Sequence, residues 1–487
     1  MAFNTDSDSF RRKYLGPSSL QVYSQWLELS FQSLGASISR RFKFGMRICE
    51  EMDLPLSATL PILPTEWRRY VNVFFDNMHP LFPLLDREAF TSRAEHISES
   101  GSMQATPAAS RPYLACLYAV VSIGMDEASQ SDSQPDYQYL QAAYSLYAHL
   151  VALPYFESAQ ALLLLTIALR GRNKDGAAWQ TLGQAIRILQ SLGLHRRRPP
   201  GQNGHDLAAE LDKRVWWSAY CLEKLLVFEA GRPSMIHDGD VDQELPTPTM
   251  HPDVLSAMIG LCRIQESIIS RLYNKRMWTT VQKPRNVLLA TGELDALLIQ
   301  WAESLPRTLR PDYDMGSCPP ELHTFRSFLT MQFQQTMVTL HRSALLMDSS
   351  IHRANIDSFC SHTPFAHRLR SSETVCVRAA RSIISVFLDS THGSCTTRLN
   401  TLTQPLLAIY VLGIFIMKHP TAWTARSDLT LLQAGAEVVE QCYRDYGFDP
   451  EFCAMMSNLV RIAARYVDHS PSGAGGRVRK ATTGTPQ

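Results

Sequence analysis

The sequence is poor in the features that usually announce a function. Its ten cysteines are scattered, no Cys-x-x-Cys occurs, and the closest two, Cys442 and Cys453, stand eleven residues apart. Such spacing excludes the compact thiolate sets that hold structural zinc and reads as reduced, buried thiols. The longest apolar run, Leu406 to Met417, has twelve residues, short of the ~20 that span a bilayer. The opening MAFNTDSDSF has no apolar signal core, so a soluble, intracellular chain without membrane contact is expected. Charge of one sign is missing as well, since 47 Lys and Arg against 46 Asp and Glu leave +1 over 487 residues. A domain that grips DNA by its phosphates is normally far more basic.

Catalytic motifs are absent too. There is no phosphate-cradling Gly-x-x-x-x-Gly-Lys-Ser/Thr loop, no Gly-x-Ser-x-Gly elbow, no His-Glu-x-x-His pair and no Asp-Asp-x-x-Asp. The one dense acidic run, Asp238 to Glu244, alternates aspartates as a calcium loop begins. Gln243 and Thr249 stand where such a loop needs Gly and Glu, so it reads as a solvated connector. His195, His205, His237 and His251 fall near loops and His341 and His367 near helix ends, none at metal-ligand spacing. They read as structural or surface residues.

What the chain does have is helical periodicity from about residue 65 onward. Apolar residues recur every three or four positions from Trp67 to Met78, and from Leu114 to a stop near Gly124. They recur again from Tyr139 to Leu150 and from Leu162 to Leu169. Ala178, Leu182, Ala185, Ile186, Leu189 and Leu192 form one stripe, stopped by Gly193. The next helix, from about Leu211 to Leu226, ends at Gly231-Arg232-Pro233. Further helices are expected across 254–273, 286–304, 321–348, 371–389, 401–417, 427–445 and 451–467. The fold class is all-α, a large multi-helix domain with a short disordered tail from Ser470 onward. The adjacent Trp216 and Trp217 point about 100° apart on a helix. Core packing is the expected role, with Trp216 near Leu182, Leu189, Val215 and Leu222. His195-Arg196-Arg197-Arg198 suits the negative end of a helix dipole and is also a candidate nuclear-import patch. Arg477-x-Arg479-Lys480 is a second basic run.

Several segments together resemble one family. Ala178-Trp179 through Gly183, Ala185 and Gly193-Leu-His195-Arg196 resembles the "AW..lG.A…GLHR" helix of the fungal-specific transcription factor domain, the middle homology region of binuclear zinc-cluster regulators. Arg214-Val-Trp216-Trp217 through Glu223, Gly231-Arg232-Pro233, Ile236 and Pro246 resembles its "R.WW..y..D…GRP..I" stretch, with Glu223 where the family has Asp. Tyr70 to Phe90 is similar to its opening segment. Tyr14-Leu-Gly16-Pro-Ser-Ser is similar to the signature found before the domain, and Leu340-His341-Arg342 with Cys376-x-x-Ala379-Ala380 to its closing helices.

The resemblance implies a segment at 1–60 with that signature, a regulatory core at 61–320, a helical continuation of the same domain at 321–467, and the tail at 468–487. It implies a nuclear transcriptional regulator of a metabolic or secondary-metabolite gene set. Gly183 and Gly193 would permit close packing and a helix stop, and Arg232 would be available to pair with the acidic run. The family's DNA-reading module needs six clustered cysteines, whereas the first cysteine here is Cys49, so no zinc or other cofactor is expected. Promoter DNA would then be reached only indirectly. Implied partners are a second copy or a zinc-cluster regulator in a dimer, and a small-molecule effector. Two rivals stay open on the residues alone: an α-helical enzyme without a recognisable motif, and a cytoplasmic helical adaptor.

Overall fold

The structure, a computed structural model, describes residues 60–100, 107–128, 137–197, 207–273, 283–311, 318–392 and 397–469, with residue 103 and short pieces at 2–4, 12–14 and 31–33. It is helical almost throughout. The exception is a short antiparallel pair, β1 (Ala2–Asn4) with β2 (Arg12–Tyr14). The helices in chain order begin with α1 (Trp67–Asn77), α2 (Arg87–Ser100), α3 (Arg111–Ala128), α4 (Gln138–Ser145) and α5 (Tyr147–Ala152). Next come α6 (Phe156–Gly171), α7 (Asp175–Ser191), α8 (Leu207–Ala230), α9 (Val254–Leu272) and α10 (Lys283–Ser304). The last seven are α11 (His323–Leu346), α12 (Ser349–Phe359), α13 (Ala366–Arg370), α14 (Ser372–His392), α15 (Thr403–Lys418), α16 (Ala425–Asp445) and α17 (Pro450–His469).

The all-α expectation holds, with local corrections. The stretch Tyr139–Leu150 is two helices, broken at Leu146. The helices α2, α12 and the five-residue α13 escaped the periodicity reading. Start signals for the first two were nonetheless present: Asp86 accepts the Ala89 N–H at 2.8 Å and Asp348 accepts the Ser350 N–H at 2.8 Å. The expected tail lies outside the described residues.

Gly124 does not end its helix, which runs on to Ala128. Its function is proximity, because α1 crosses so closely that a Cβ on Gly124 would lie 2.0 Å from the Tyr70 carbonyl oxygen. A backbone atom cannot step aside as a side-chain tip can. Gly124→Ala should therefore destabilise the chain by about 1–3 kcal/mol through overpacking, despite the ~1 kcal/mol that alanine gains in helix propensity. Urea unfolding reads the difference, and a higher midpoint for the variant would refute this account of the α1–α3 crossing.

One continuous apolar core runs from Phe31 through α1 to α17, so the two halves of the chain share an interior. The most extensive helix pair is α11 with α14. Polar ties cross the same seam. Arg170, at the end of α6, donates to the Leu399 carbonyl at 2.9 Å and to Glu229 at 2.6 Å, and Gln404 of α15 donates to the same carboxylate at 3.3 Å. Glu127 accepts the Arg398 N–H at 2.8 Å. Burial pushes the Glu127 carboxyl up to about 7, with Asp126 adding to it and the Arg398 and Thr397 hydrogen bonds opposing it.

A raised folded pKa means that the folded chain prefers Glu127 protonated. The stabilisation is fully present below the ordinary carboxylate value and is lost as pH rises through about 7. Glu127→Gln keeps an acceptor but cannot ionise, so it should remove roughly 3 kcal/mol of pH-dependent destabilisation between pH 5 and 8. Denaturant midpoints of both proteins at the two pH values measure this, and parallel pH profiles would contradict it.

Candidate functional site

The two motif helices α7 and α8 lie antiparallel, and a ring pair and a cation–π contact mark the two ends of their contact. At one end the His195 ring sits 5.8 Å from the Trp216 ring; at the other the Arg232 guanidinium lies over Trp179 at 4.9 Å. Two glycines set the turns. Gly193 has φ +77° and lets the Leu194 N–H reach back to the Leu189 carbonyl at 3.0 Å, a helix stop that seats the buried Leu194. Gly231 has φ +62° and closes α8 just before Arg232 and Pro233. Gly183 has only ordinary contact with Met235, whose sulfur would stand 3.4 Å from an added Cβ, so tight packing is not its reason.

Trp216 is completely buried, in the same core cluster as Leu182, Leu189, Val215 and Leu222. Trp217 is buried too, but its indole N–H donates to the Glu244 carbonyl at 2.8 Å and its ring meets Tyr220 edge-on at 5.2 Å. One tryptophan thus fills the core and the other holds the loop after Pro233.

The element that organises this loop is a buried charge set on α8. Glu223 accepts the Met235 N–H at 2.7 Å, so the acid in the family's Asp position closes a loop twelve residues long. The extra methylene of Glu is accommodated. Lys224, 1% exposed, donates to the Ser234 hydroxyl at 2.8 Å and the Ile236 carbonyl at 2.7 Å, and pairs with Glu266 of α9 at 3.0 Å. Glu223 lies 3.3 Å and Asp238 3.8 Å from the same ammonium. Burial opposes the Lys224 charge, but Glu223 and Glu266 outweigh it and hold its pKa above the ordinary value. For Glu223 burial outweighs Lys224, and its pKa rises.

The acidic run Asp238–Glu244 is exposed, yet it is tied down along its length and is no free connector. Tyr220 donates to Asp238 at 3.1 Å, and Lys213 reaches Glu244 at 3.2 Å. The N–H groups of Asp242 and Gln243 donate to the His195 carbonyl at 3.2 Å. The expected import patch forms the other side of this seam: Arg197 pairs with Glu244 at 2.8 Å and Arg196 with Asp242 at 3.9 Å. Surface pairs of this kind contribute little stability individually. Arg232, expected to face the acidic run, lies buried over Trp179. Arg214 lies near enough to the opening segment for its charge to act on His79. His79, of the opening segment, is pushed down to about 4, by burial first and then by the Arg214 charge. Gly16 and Arg198 lie outside the described residues.

The closing motif is equally structural. Cys376, Ala379 and Ala380 are buried where α14 meets α11, and Arg342 donates to the Tyr273 hydroxyl at 3.1 Å. His341 deserves a chemical test, because its Nδ1 lies 3.0 Å from the Ser372 hydroxyl and its Nε2 2.9 Å from Asp295. These are the side-chain types of a hydrolase triad. Here, however, all three residues are at most 2% exposed, and Arg368 holds Asp295 with a second bond at 2.8 Å. Burial works against the Asp295 carboxylate, but the bonds from His341 and Arg368 prevail and keep its pKa low. A serine that no substrate reaches cannot be acylated, so this set fastens α10, α11, α13 and α14 together. Among the described residues no group of three His, Cys, Asp or Glu is placed to hold a metal ion, and no helix is long and apolar enough to cross a membrane.

Residues 71–303 match the family model of the fungal specific transcription factor domain. That match covers just under half of the chain. The motif helices, the Gly231–Arg232–Pro233 turn and the latched loop all fall within the matched residues. The chain is also 25% identical to an ABC-transporter-regulating transcription factor of Aspergillus oryzae, over 85% of this chain and 48% of that protein. It is 25% identical to Protein STB5 of Saccharomyces cerevisiae, over 57% of this chain and 41% of that protein. It therefore spans about half the length of the relatives it matches. Among solved structures, a chain of the K. lactis CBF3 core superimposes with a TM-score of 0.55 at 11% identity, covering 92% of this chain and 91% of that one. The shared fold thus extends well past residue 303, where the match to the family model ends.

The sequence reading missed Lys224 as the centre of the loop latch. Its signal was one lysine inside the apolar stretch Val215–Phe228.

Proposed function

We propose that this chain is a nuclear transcriptional regulator that works through its helical domain, inside a complex whose DNA-reading surface belongs to a partner. The observation that carries the reading is the fungal transcription factor domain over residues 71–303, with its motif residues assembled into one latched α7–α8 unit. The Aspergillus oryzae relative is an ABC-transporter-regulating transcription factor, which supports a regulatory role. The burial of the Ser372–His341–Asp295 set argues against catalysis. A metabolic gene set is the proposed target, and a small-molecule effector the proposed input.

The partner is inferred from electrostatics. Neutralising phosphates with Lys and Arg supplies much of DNA affinity through counterion release, and a net charge of +1 offers little of it. Zinc is proposed to play no part in this chain. Thiolates, not thiols, bind the metal, and burial pushes Cys376 up to about 12 and Cys442 up to about 11.

Deleting the gene should shift transcripts of a defined gene set, while the purified 487-residue chain binds no DNA with nanomolar, sequence-specific affinity at physiological salt. An unaltered transcriptome across growth conditions would overturn the regulatory reading. Tight binding by the pure chain, or two zinc ions per chain by elemental analysis, would overturn the need for a partner.

A further inference from the structure

Tryptophan is largely buried in most folded chains, and Trp67, Trp216, Trp217 and Trp301 follow the rule at 8% exposure or less. Trp423 breaks it. It stands 95% exposed in the turn between α15 and α16, and among the described residues its indole makes no hydrogen bond and no ring contact.

The turn that presents it is fastened at several points. Lys418 donates to the Leu345 carbonyl and to Glu373, both at 2.9 Å, and His419 Nε2 lies 3.1 Å from the same carboxylate. The Ala422 N–H donates to the His419 carbonyl at 3.0 Å, and the Ala425 N–H to the Ala422 carbonyl at 2.9 Å. Beyond the indole, Arg381 of α14 donates to the Thr424 hydroxyl at 3.2 Å and to the buried Asp428 at 2.6 Å. The backbone is thus held on both sides of Trp423. Covering a side chain so mounted orders only its two torsions and removes roughly 200 Å² of mostly apolar surface from water. Tryptophan and arginine are also enriched among the few residues that carry interface energy.

The charge on this corner selects the partner. Both of its acids are consumed, Glu373 by Lys418 and His419, and Asp428 by Arg381. Arg426, in the first turn of α16, and Arg378, one turn before Arg381 on α14, are exposed and have no ion pair among the described residues. The uncompensated charge is therefore positive. We propose that Trp423 anchors a docking surface for an acidic segment of a partner protein, which sets an apolar side chain on the indole and carboxylates toward Arg378 and Arg426. Nucleic acid, the other polyanion, could stack a base on the indole, but two free arginines neutralise too few phosphates to hold a strand at physiological salt. The proposal goes beyond the regulatory reading above, since it concerns binding by the pure chain, whatever genes that chain controls.

The test pans a phage-displayed library of random peptides on the purified full chain and then follows the selected peptides by fluorescence anisotropy. Those peptides should carry several Asp or Glu and at least one Phe, Leu or Trp, and added salt should weaken their binding. Trp423→Ala should weaken it about tenfold or more, at an unchanged thermal midpoint because the lost surface already lies in water. Arg378→Glu combined with Arg426→Glu should do the same by reversing the charge. No enrichment over an unrelated protein, selected peptides without acidic residues, or binding that survives Trp423→Ala would overturn the surface. A single-stranded thymidine oligonucleotide that binds more tightly than the peptides, and is lost in Trp423→Ala, would overturn it in favour of nucleic acid.

Discussion

Replacing Lys224 with methionine is expected to destabilise the chain by about 3–5 kcal/mol, the range seen when one partner of a buried ion pair is removed. Methionine fits the volume, so the loss is electrostatic rather than steric. Lys224 is 1% exposed and serves five oxygens: the Ser234 hydroxyl, the Ile236 carbonyl and the carboxylates of Glu223, Glu266 and Asp238. Without the ammonium, Glu223 remains fully buried with its charge uncompensated. The chain would respond by taking up a proton there or by releasing the loop after Pro233. Lys224→Met combined with Glu223→Gln should therefore recover part of the loss, because the second change removes the stranded charge. Denaturant unfolding of the single and double variants measures the coupling. If the double variant were as unstable as the sum of the two single changes, the ion set would not be the cause.

Trp216→Ala is expected to cost a comparable amount, about 3–5 kcal/mol, by a different mechanism. Trp216 has no exposed surface, belongs to the main apolar core and meets the His195 ring at 5.8 Å. Truncation removes the largest side chain at the α7–α8 contact and leaves a cavity that two helices fixed at both ends by turns cannot close. Its indole N–H has no protein partner, so Trp216→Phe gives up volume but no hydrogen bond, and its cost should be well below that of alanine. Trp217 offers the contrast. Trp217→Phe loses the bond to the Glu244 carbonyl, and its effect should fall on the loop, read as faster proteolysis between Pro233 and Pro246, more than on the global midpoint. An unchanged urea midpoint for Trp216→Ala would refute the packing role.

Helices that bury one face against the core were readable from the sequence, because burial imposes the 3.6-residue period directly. The α7 stripe from Ala178 to Leu192 and its stop at Gly193 are examples. Helices such as α2 and α12 were not, since each buries only one or two apolar side chains, Phe90 and Ala94 in α2 and Ile356 in α12. Gly124 misled for a related reason. A glycine in a helical pattern signals either a stop or a close crossing, and only the position of the Tyr70 carbonyl decides between them. The motif residues of the site were visible, yet their division of labour was not. That Trp216 packs while Trp217 donates, and that Arg232 covers Trp179 rather than facing the acidic run, depends on which way α8 is turned. The exposure of Trp423 gave no sequence signal at all, because tryptophan is ordinarily a largely buried residue.

The central claim is that the helical domain itself regulates transcription and relies on a partner for DNA. The most direct measurement fuses the chain to a heterologous DNA-binding module and follows a reporter gene carrying the matching operator. A change in reporter transcript that depends on the fused chain, and that Lys224→Met abolishes at equal protein level, is the predicted result. A stable, operator-bound fusion that leaves the reporter at the level of the DNA-binding module alone would contradict it.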